Sequence, residues 1–319
     1  MIKNRRGNFQ FSFGWIFAII AGVIIVFLAI YGVTKFMNLE KSSVNAQTAT
    51  DIGVLTNPLE SSFETVKRAM ISTPAETRIY TNCSNASNFG RQIVRTSVKS
   101  YNQWSEEGIN VYFQNKFIFS ENPVEGKNFY VFSKPFEFPF KVSDLIYLTS
   151  TKDKYCFIDA PRDIEKEIEL IRGEPASKNE NLFIETSTSP CHSGSINVCF
   201  RTRYSYCDIF VYPKYVEKDS GRMYYEGDAL MYAAIFSEKD IYECELDRLM
   251  KRTGQLYEIY KDKSKFLLEE TGCPQEFYGD LMVVESLINS FESSEDLQYI
   301  YSLSETMDIQ NKYAECKLW

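Results

Sequence analysis

Phe13 to Thr34 reads FGWIFAIIAGVIIVFLAIYGVT, and no charged residue occurs between Gly7 and Thr34. A run of this length exceeds the ~20 apolar residues that cross a hydrocarbon layer. A buried core helix is the alternative, but this run is polar on no face and sits at the terminus behind a basic cluster. Lys3, Arg5 and Arg6 precede it, whereas Lys35 and Lys41 behind it are partly offset by Glu40. The positive-inside rule then puts the N-terminus in the cytoplasm and everything after Phe36 outside. A cleaved signal peptide would have an apolar stretch of only ~7–15 residues and a small-residue cleavage site at its end. Here the small residues Val44-Asn45-Ala46 lie beyond Lys35, Glu40 and Lys41, too far from the apolar core.

The formal charge of the 319 residues is −8, and residues 1–35 carry four positive and no negative side chains, so the remainder carries −12. That balance argues against a nucleic-acid partner. It leaves membrane lipid, reached through the apolar helix, and an envelope protein as the expected partners, with no cofactor. The eight cysteines, Cys83, Cys156, Cys191, Cys199, Cys207, Cys244, Cys273 and Cys316, all follow the apolar run. An even number on the side where bridges persist reads as a disulfide framework. No C-x-x-C occurs and His192 is the sole histidine, which excludes a Cys/His zinc cage. Asn82-Cys83-Ser84 and Asn85-Ala86-Ser87 are adjacent N-x-S patterns, so Asn82 and Asn85 are candidate glycosylation sites.

The chain divides into a cytoplasmic 1–12, a transmembrane helix 13–35, a stalk 36–57, a β-rich region 58–236 and a helical region 237–319. Asn57-Pro58-Leu59-Glu60 has the pattern of a helix start, and Leu59, Phe63, Val66 and Met70 continue it at helical spacing. From about Glu76 to Ser237, alternation in stretches such as Ile109–Phe113 and Phe129–Phe140 predicts a largely antiparallel β region. One helix interrupts it near Pro161–Arg172, with Ile164, Ile168 and Ile171 on one face and Gly173 as its stop. Residues 185–195 read as a loop, with strands at 182–185, 196–201 and 207–212. Ser237-Glu238-Lys239-Asp240 opens a long helix that Gly272 ends, and helices at about 280–291 and 294–316 follow. If the third of these runs antiparallel to the first, Cys316 returns to Cys244, which predicts a Cys244–Cys316 bridge.

Short catalytic signatures are missing from the chain. Cys191 and His192 are neighbours, but a nucleophile and its base are ordinarily brought together by the fold, so a loop is the reading. Acidic pairs such as Asp240/Glu243 and Glu269/Glu270 are expected on solvated helix faces. The aromatic group Phe129, Tyr130, Phe132, Phe136, Phe138 and Phe140 is expected in the core.

The first thirty-five residues, with a basic stretch ending in Arg5-Arg6-Gly7, then Asn8, Gln10 and Ser12, then the long apolar run, resemble the class III signal of archaeal type IV pilin-like proteins. The resemblance implies cleavage after Gly7 and a mature terminus at Asn8; Ser12 stands where that class carries an acidic residue. The large, cysteine-bearing outer part is similar in layout to archaeal membrane-anchored surface proteins. The expectation is an α+β protein on a single N-terminal transmembrane helix, β-rich and antiparallel in the middle, ending in a unit of about three helices. Its role is structural or interactive rather than enzymatic, with a pilin-like subunit or a membrane-tethered hydrolase as the alternatives.

Overall fold

The structure, a computed structural model, describes residues 14–33, 35, 67–86, 90–100, 102–173, 181–187, 191–273 and 278–319. The chain forms two compact units, Met1–Val44 and Asn45–Trp319. The leader, the stalk, the cut site after Gly7 and most of the helix predicted at residues 58–70 lie outside the described residues. Met70, the end of that predicted helix, is in a strand.

In the first unit, α1 (Gly14–Val33) is a 20-residue helix with a mean hydropathy of 2.9, long and apolar enough to cross a membrane. At 1.5 Å per residue it spans about 30 Å, the thickness of a hydrocarbon core.

The second unit is α+β and begins with a curled sheet. Its strands are β1 (Lys67–Ser84), β2 (Arg91–Ser100), β3 (Gln103–Trp104), β4 (Val111–Phe113), β5 (Phe117–Phe119), β6 (Val124–Glu137) and β7 (Lys141–Ser150), in the order β3-β2-β1-β6-β7-β5 with β4 also on β2. In a flat sheet, β4 and β5 would be five strand spacings apart, about 24 Å. Yet only Gln114, Asn115 and Lys116 separate them, a reach of about 14 Å. The sheet must therefore curl until its edges meet. Side chains close the seam: Ile118 N–H donates to Gln92 Oε1 at 2.9 Å, and the Thr81 and Ser120 hydroxyls bond at 2.5 Å. Alternation lines the interior with Ile71, Ile79, Val94, Ile118, Val124, Phe129, Val131, Ile146 and Leu148.

A second sheet follows, built from β8 (Tyr155–Ile158), β9 (Leu182–Glu185), β10 (Ile196–Phe200), β11 (Ile209–Val211), β12 (Tyr215–Lys218) and β13 (Gly221–Tyr224), in the order β13-β12-β11-β10-β8-β9. The antiparallel expectation holds at β11–β12–β13, but β9–β8, β8–β10 and β10–β11 are parallel. For β8 and β9 the reason is α2 (Arg162–Arg172), a helical crossover that returns the chain to pair in the same direction. It buries Ile164, Ile168 and Ile171 as their spacing predicts, and Gly173 ends it at φ +78°.

Between the two sheets lies α3 (Gly227–Phe236), where a strand region was expected. Every residue from Ala229 to Phe236 is buried. The Phe236 ring meets Phe132 and Tyr147 of the first sheet and Tyr155 and Phe157 of the second. A helix packed on all sides shows no polar stripe, so the pattern that reveals surface helices is absent.

The C-terminal helices are α4 (Lys239–Thr271), α5 (Tyr278–Asn289) and α6 (Leu297–Tyr313), the last entered through a 3-10 turn at Ser294–Asp296. Glu243, near the start of α4, accepts hydrogen bonds from Ser294 N–H and Oγ. Past the other end, Cys273 is bridged to Cys316. Helices α4 and α6 therefore start together and finish together, which makes them parallel.

Candidate functional site

The inner face of the second sheet sends Phe157, Val198, Phe200, Val211, Val216 and Met223 into the core shared with α3. Its outer face is built differently. Strand register lays Ile158, Cys199, Phe210, Glu217 and Arg222 in one row across β8, β10, β11, β12 and β13. In the next row Tyr215 stands opposite Tyr224, and Tyr212 joins them at the hairpin, donating its N–H to Tyr215 O at 2.9 Å.

Two disulfides hold the loops above this face. Cys156–Cys191 ties the loop before β10 down to β8, and Cys199–Cys207 closes the connection from β10 to β11. Parallel neighbours are usually joined by about a dozen residues or more, so the bridge fixes an unusually short crossing. Inside that loop, Asn197 Nδ2 donates to Tyr206 O and Asn197 N–H to the Asp208 carboxylate, both at 2.7 Å. The Tyr204 and Tyr206 rings stack at 5.2 Å and 3°, and Tyr206 is 47% exposed.

One carboxylate organises the charge. Glu217 Oε1 pairs with Arg203 at 3.2 Å, while its Oε2 pairs with Arg222 at 3.1 Å. Each guanidinium also lies over a ring: Arg203 over Phe210 at 4.7 Å, Arg222 over Tyr215 at 4.8 Å. The hydrogen bond to Glu217 raises the Arg222 pKa above its ordinary value. Tyrosine and arginine dominate contact hot spots: tyrosine brings large area and a hydroxyl for little conformational entropy, and arginine a planar fork of donors. Rings already stacked in loops already bridged need little further ordering on binding.

The sequence reading did not single out these residues. A signal was present, since residues 201–225 hold six tyrosines together with Arg201, Arg203 and Arg222.

All eight cysteines are paired, as Cys83–Cys244, Cys156–Cys191, Cys199–Cys207 and Cys273–Cys316. The expected Cys244–Cys316 bridge is wrong. It assumed that the third helix runs against the first; α5 reverses the chain once and α6 reverses it again, which carries Cys316 to the far end of α4. Cys244 instead fastens α4 to the end of β1.

Cys191, bridged to Cys156, is no nucleophile, and His192 is an exposed ring set edge-on to Phe183 at 4.8 Å. Of the acidic pairs, Glu243 accepts from Ser294, Asp240 is exposed, and Glu269 and Glu270 are exposed. Phe129, Phe132, Phe136, Phe138 and Phe140 are buried, and Tyr130 is half-buried. Asn82 sits inside β1 opposite Ile93, with its side-chain amide 2.8 Å from that of Asn122. Asn85 lies past the strand end, exposed, and donates to Asp247 at 2.9 Å.

A second cluster of titratable groups joins β6, α2 and α3. Lys134 Nζ lies 2.6 Å from Glu167 and 3.2 Å from Asp228, and the Tyr232 hydroxyl donates to Glu167 at 3.0 Å. Burial first, then the Glu167 charge, pushes the Tyr232 phenol above its ordinary range, so it stays a proton donor. These contacts tie three elements together.

No protein-family model matches the chain, and no curated protein or solved structure matches it either. What can be said of its role comes from its own chemistry. An apolar helix of membrane-crossing length, followed by four disulfides, fits an extracytoplasmic, membrane-anchored protein.

Proposed function

We propose that the chain is a single-pass membrane protein with its N-terminus in the cytoplasm, displaying its disulfide-bonded unit outside as an interaction module. The contact surface is the outer face of the second sheet, and the partner is another envelope protein. The observation that carries this reading is the partition of the cysteines: all eight follow the apolar helix and all eight are bridged. Free thiols in that number would be the rule in a reducing cytosol.

The test uses intact cells and isolated membranes. The chain should stay in the membrane pellet through an alkaline carbonate wash, lose its large unit to protease added outside, and take up thiol reagent only after reduction. A soluble product with eight reactive thiols would overturn the reading. The pilin-like alternative rests on Arg5-Arg6-Gly7; mass spectrometry finding a mature terminus at Asn8 would favour it, and an intact Met1 would end it.

A further inference from the structure

We infer that the occupant of the outer face of the second sheet is an acidic segment of a protein, received between the Arg203 and Arg222 guanidinium groups. The inference rests on that face being the contact surface and adds the chemistry of what binds there.

The first ground is that two guanidinium groups share one carboxylate at the β11–β13 end of the face, while Glu185, in the same row, lies at its other end on β9. Arg203 and Arg222 share the single carboxylate of Glu217 and remain 64% and 56% exposed. The curled sheet also has an outer face rich in cations and rings, but there each carboxylate that is shared takes a lysine as one of its partners. Arg78 pairs with Glu125, Arg95 with Glu107, and Lys99 and Lys152 with Glu76. Among the described residues, two guanidinium groups divide one carboxylate only at Glu217. A guanidinium has five N–H donors, and one contact to Glu217 leaves most of them for a ligand. Stacking on Phe210 and Tyr215 holds both groups in place before anything binds.

The second ground is the orientation of the rings. Tyr215 belongs to β12, and its ring stacks at 4.7 Å on Tyr212 from the β11 side while Arg222 covers it from the β13 side. With both faces occupied, the ring offers its edge, where the aromatic quadrupole is positive. Ring edges and guanidinium groups together favour carboxylates. A polysaccharide would want open ring faces beside the charges for its sugar rings to lie against; next to the guanidinium groups Tyr215 has none, and the exposed Tyr206 ring sits in the β10–β11 loop, which favours an acidic polypeptide over an acidic glycan.

The experiment measures fluorescence anisotropy of a labelled oligoglutamate peptide titrated with the full-length protein in detergent micelles. Oligogalacturonate and oligolysine serve as comparison probes. Oligoglutamate should bind at low salt, weaken as salt is added, and lose about tenfold in affinity in the Arg203→Gln/Arg222→Gln variant. Glu217→Gln frees both guanidinium groups and should tighten binding, which a purely structural role for these residues would not do. Oligogalacturonate binding in place of oligoglutamate would overturn the assignment to protein. Salt-sensitive binding that survives the double substitution would remove this face as the contact surface. No binding by a protein that still melts cooperatively would refute the acidic partner and leave the contact surface standing.

Discussion

At the scale of single residues, the costliest arrangement is the ion pair inside the second unit. Glu245 and Arg248, one turn apart on α4, are both fully buried. Arg248 Nη1 and Nη2 donate to Lys116 O and Gln114 O, each at 3.0 Å, and its guanidinium lies 4.8 Å over Phe117. One side chain thus fastens α4 to the segment where the curled sheet closes. Gly90 passes so near that a Cβ there would lie 2.7 Å from Arg248 Cγ, at a φ of +55° that disfavours a side chain anyway. Arg248→Met leaves Lys116 O and Gln114 O without their donor and, where Glu245 is ionised, strands its charge, so it should cost about 3–5 kcal/mol in urea unfolding. Burial pushes the Glu245 carboxyl up to about 8, against the pull of Arg248. The folded state therefore holds this proton more tightly than the unfolded chain. The contribution to stability is full below pH 4.5 and falls as the pH rises towards 8. Removing Arg248 raises that carboxyl further, so the loss on Arg248→Met should be larger at about pH 9.5 than at about pH 6, and an equal loss at both would show that Glu245 does not titrate in this window.

At the scale of elements, α3 sets the distance between the two sheets, and Phe236 is its principal contact. That ring lies 5.2 Å from Phe132 and 4.8 Å from Tyr155, one on each sheet. Phe236→Ala should cost about 3–5 kcal/mol, read as a lower urea midpoint with an unchanged slope. A cost under 1 kcal/mol would mean that the sheets close over the gap. The same helix shows where sequence reading stops. Helix α2 was legible because Ile164, Ile168 and Ile171 face the core while its other side meets water, and α4 was legible from its capping residues and its glycine stop. Burial on all sides erased that contrast in α3. Closure of the first sheet was equally hidden, because it depends on β4 and β5, three residues each, pairing with distant strands. The candidate contact face failed to show for the same reason. Arg203 is in a loop, Glu217 and Arg222 are on neighbouring strands, and only the folded register puts them side by side.

At the scale of the whole second unit, the bridges differ in how much of the chain they restrain. Cys83–Cys244 spans 161 residues, fastening the first sheet to the helical end, whereas Cys199–Cys207 spans 8 and acts within one loop. A cross-link stabilises chiefly by limiting the unfolded ensemble, and that effect grows with the logarithm of loop length. On this account, Cys83→Ser/Cys244→Ser should cost about 5 kcal/mol and Cys199→Ser/Cys207→Ser about 2.5 kcal/mol, compared by urea unfolding of the oxidised proteins. The two losses also differ in kind. Without Cys83–Cys244, Arg248 still grips the seam of the sheet, so the helical end should remain docked and the transition cooperative. Without Cys199–Cys207, the loop carrying Tyr204 and Tyr206 is released, so a modest loss of stability should come with a larger loss of oligoglutamate affinity. The opposite pairing, with affinity falling on removal of the long-range bridge and untouched by removal of the short one, would place the contact surface on the helical end instead.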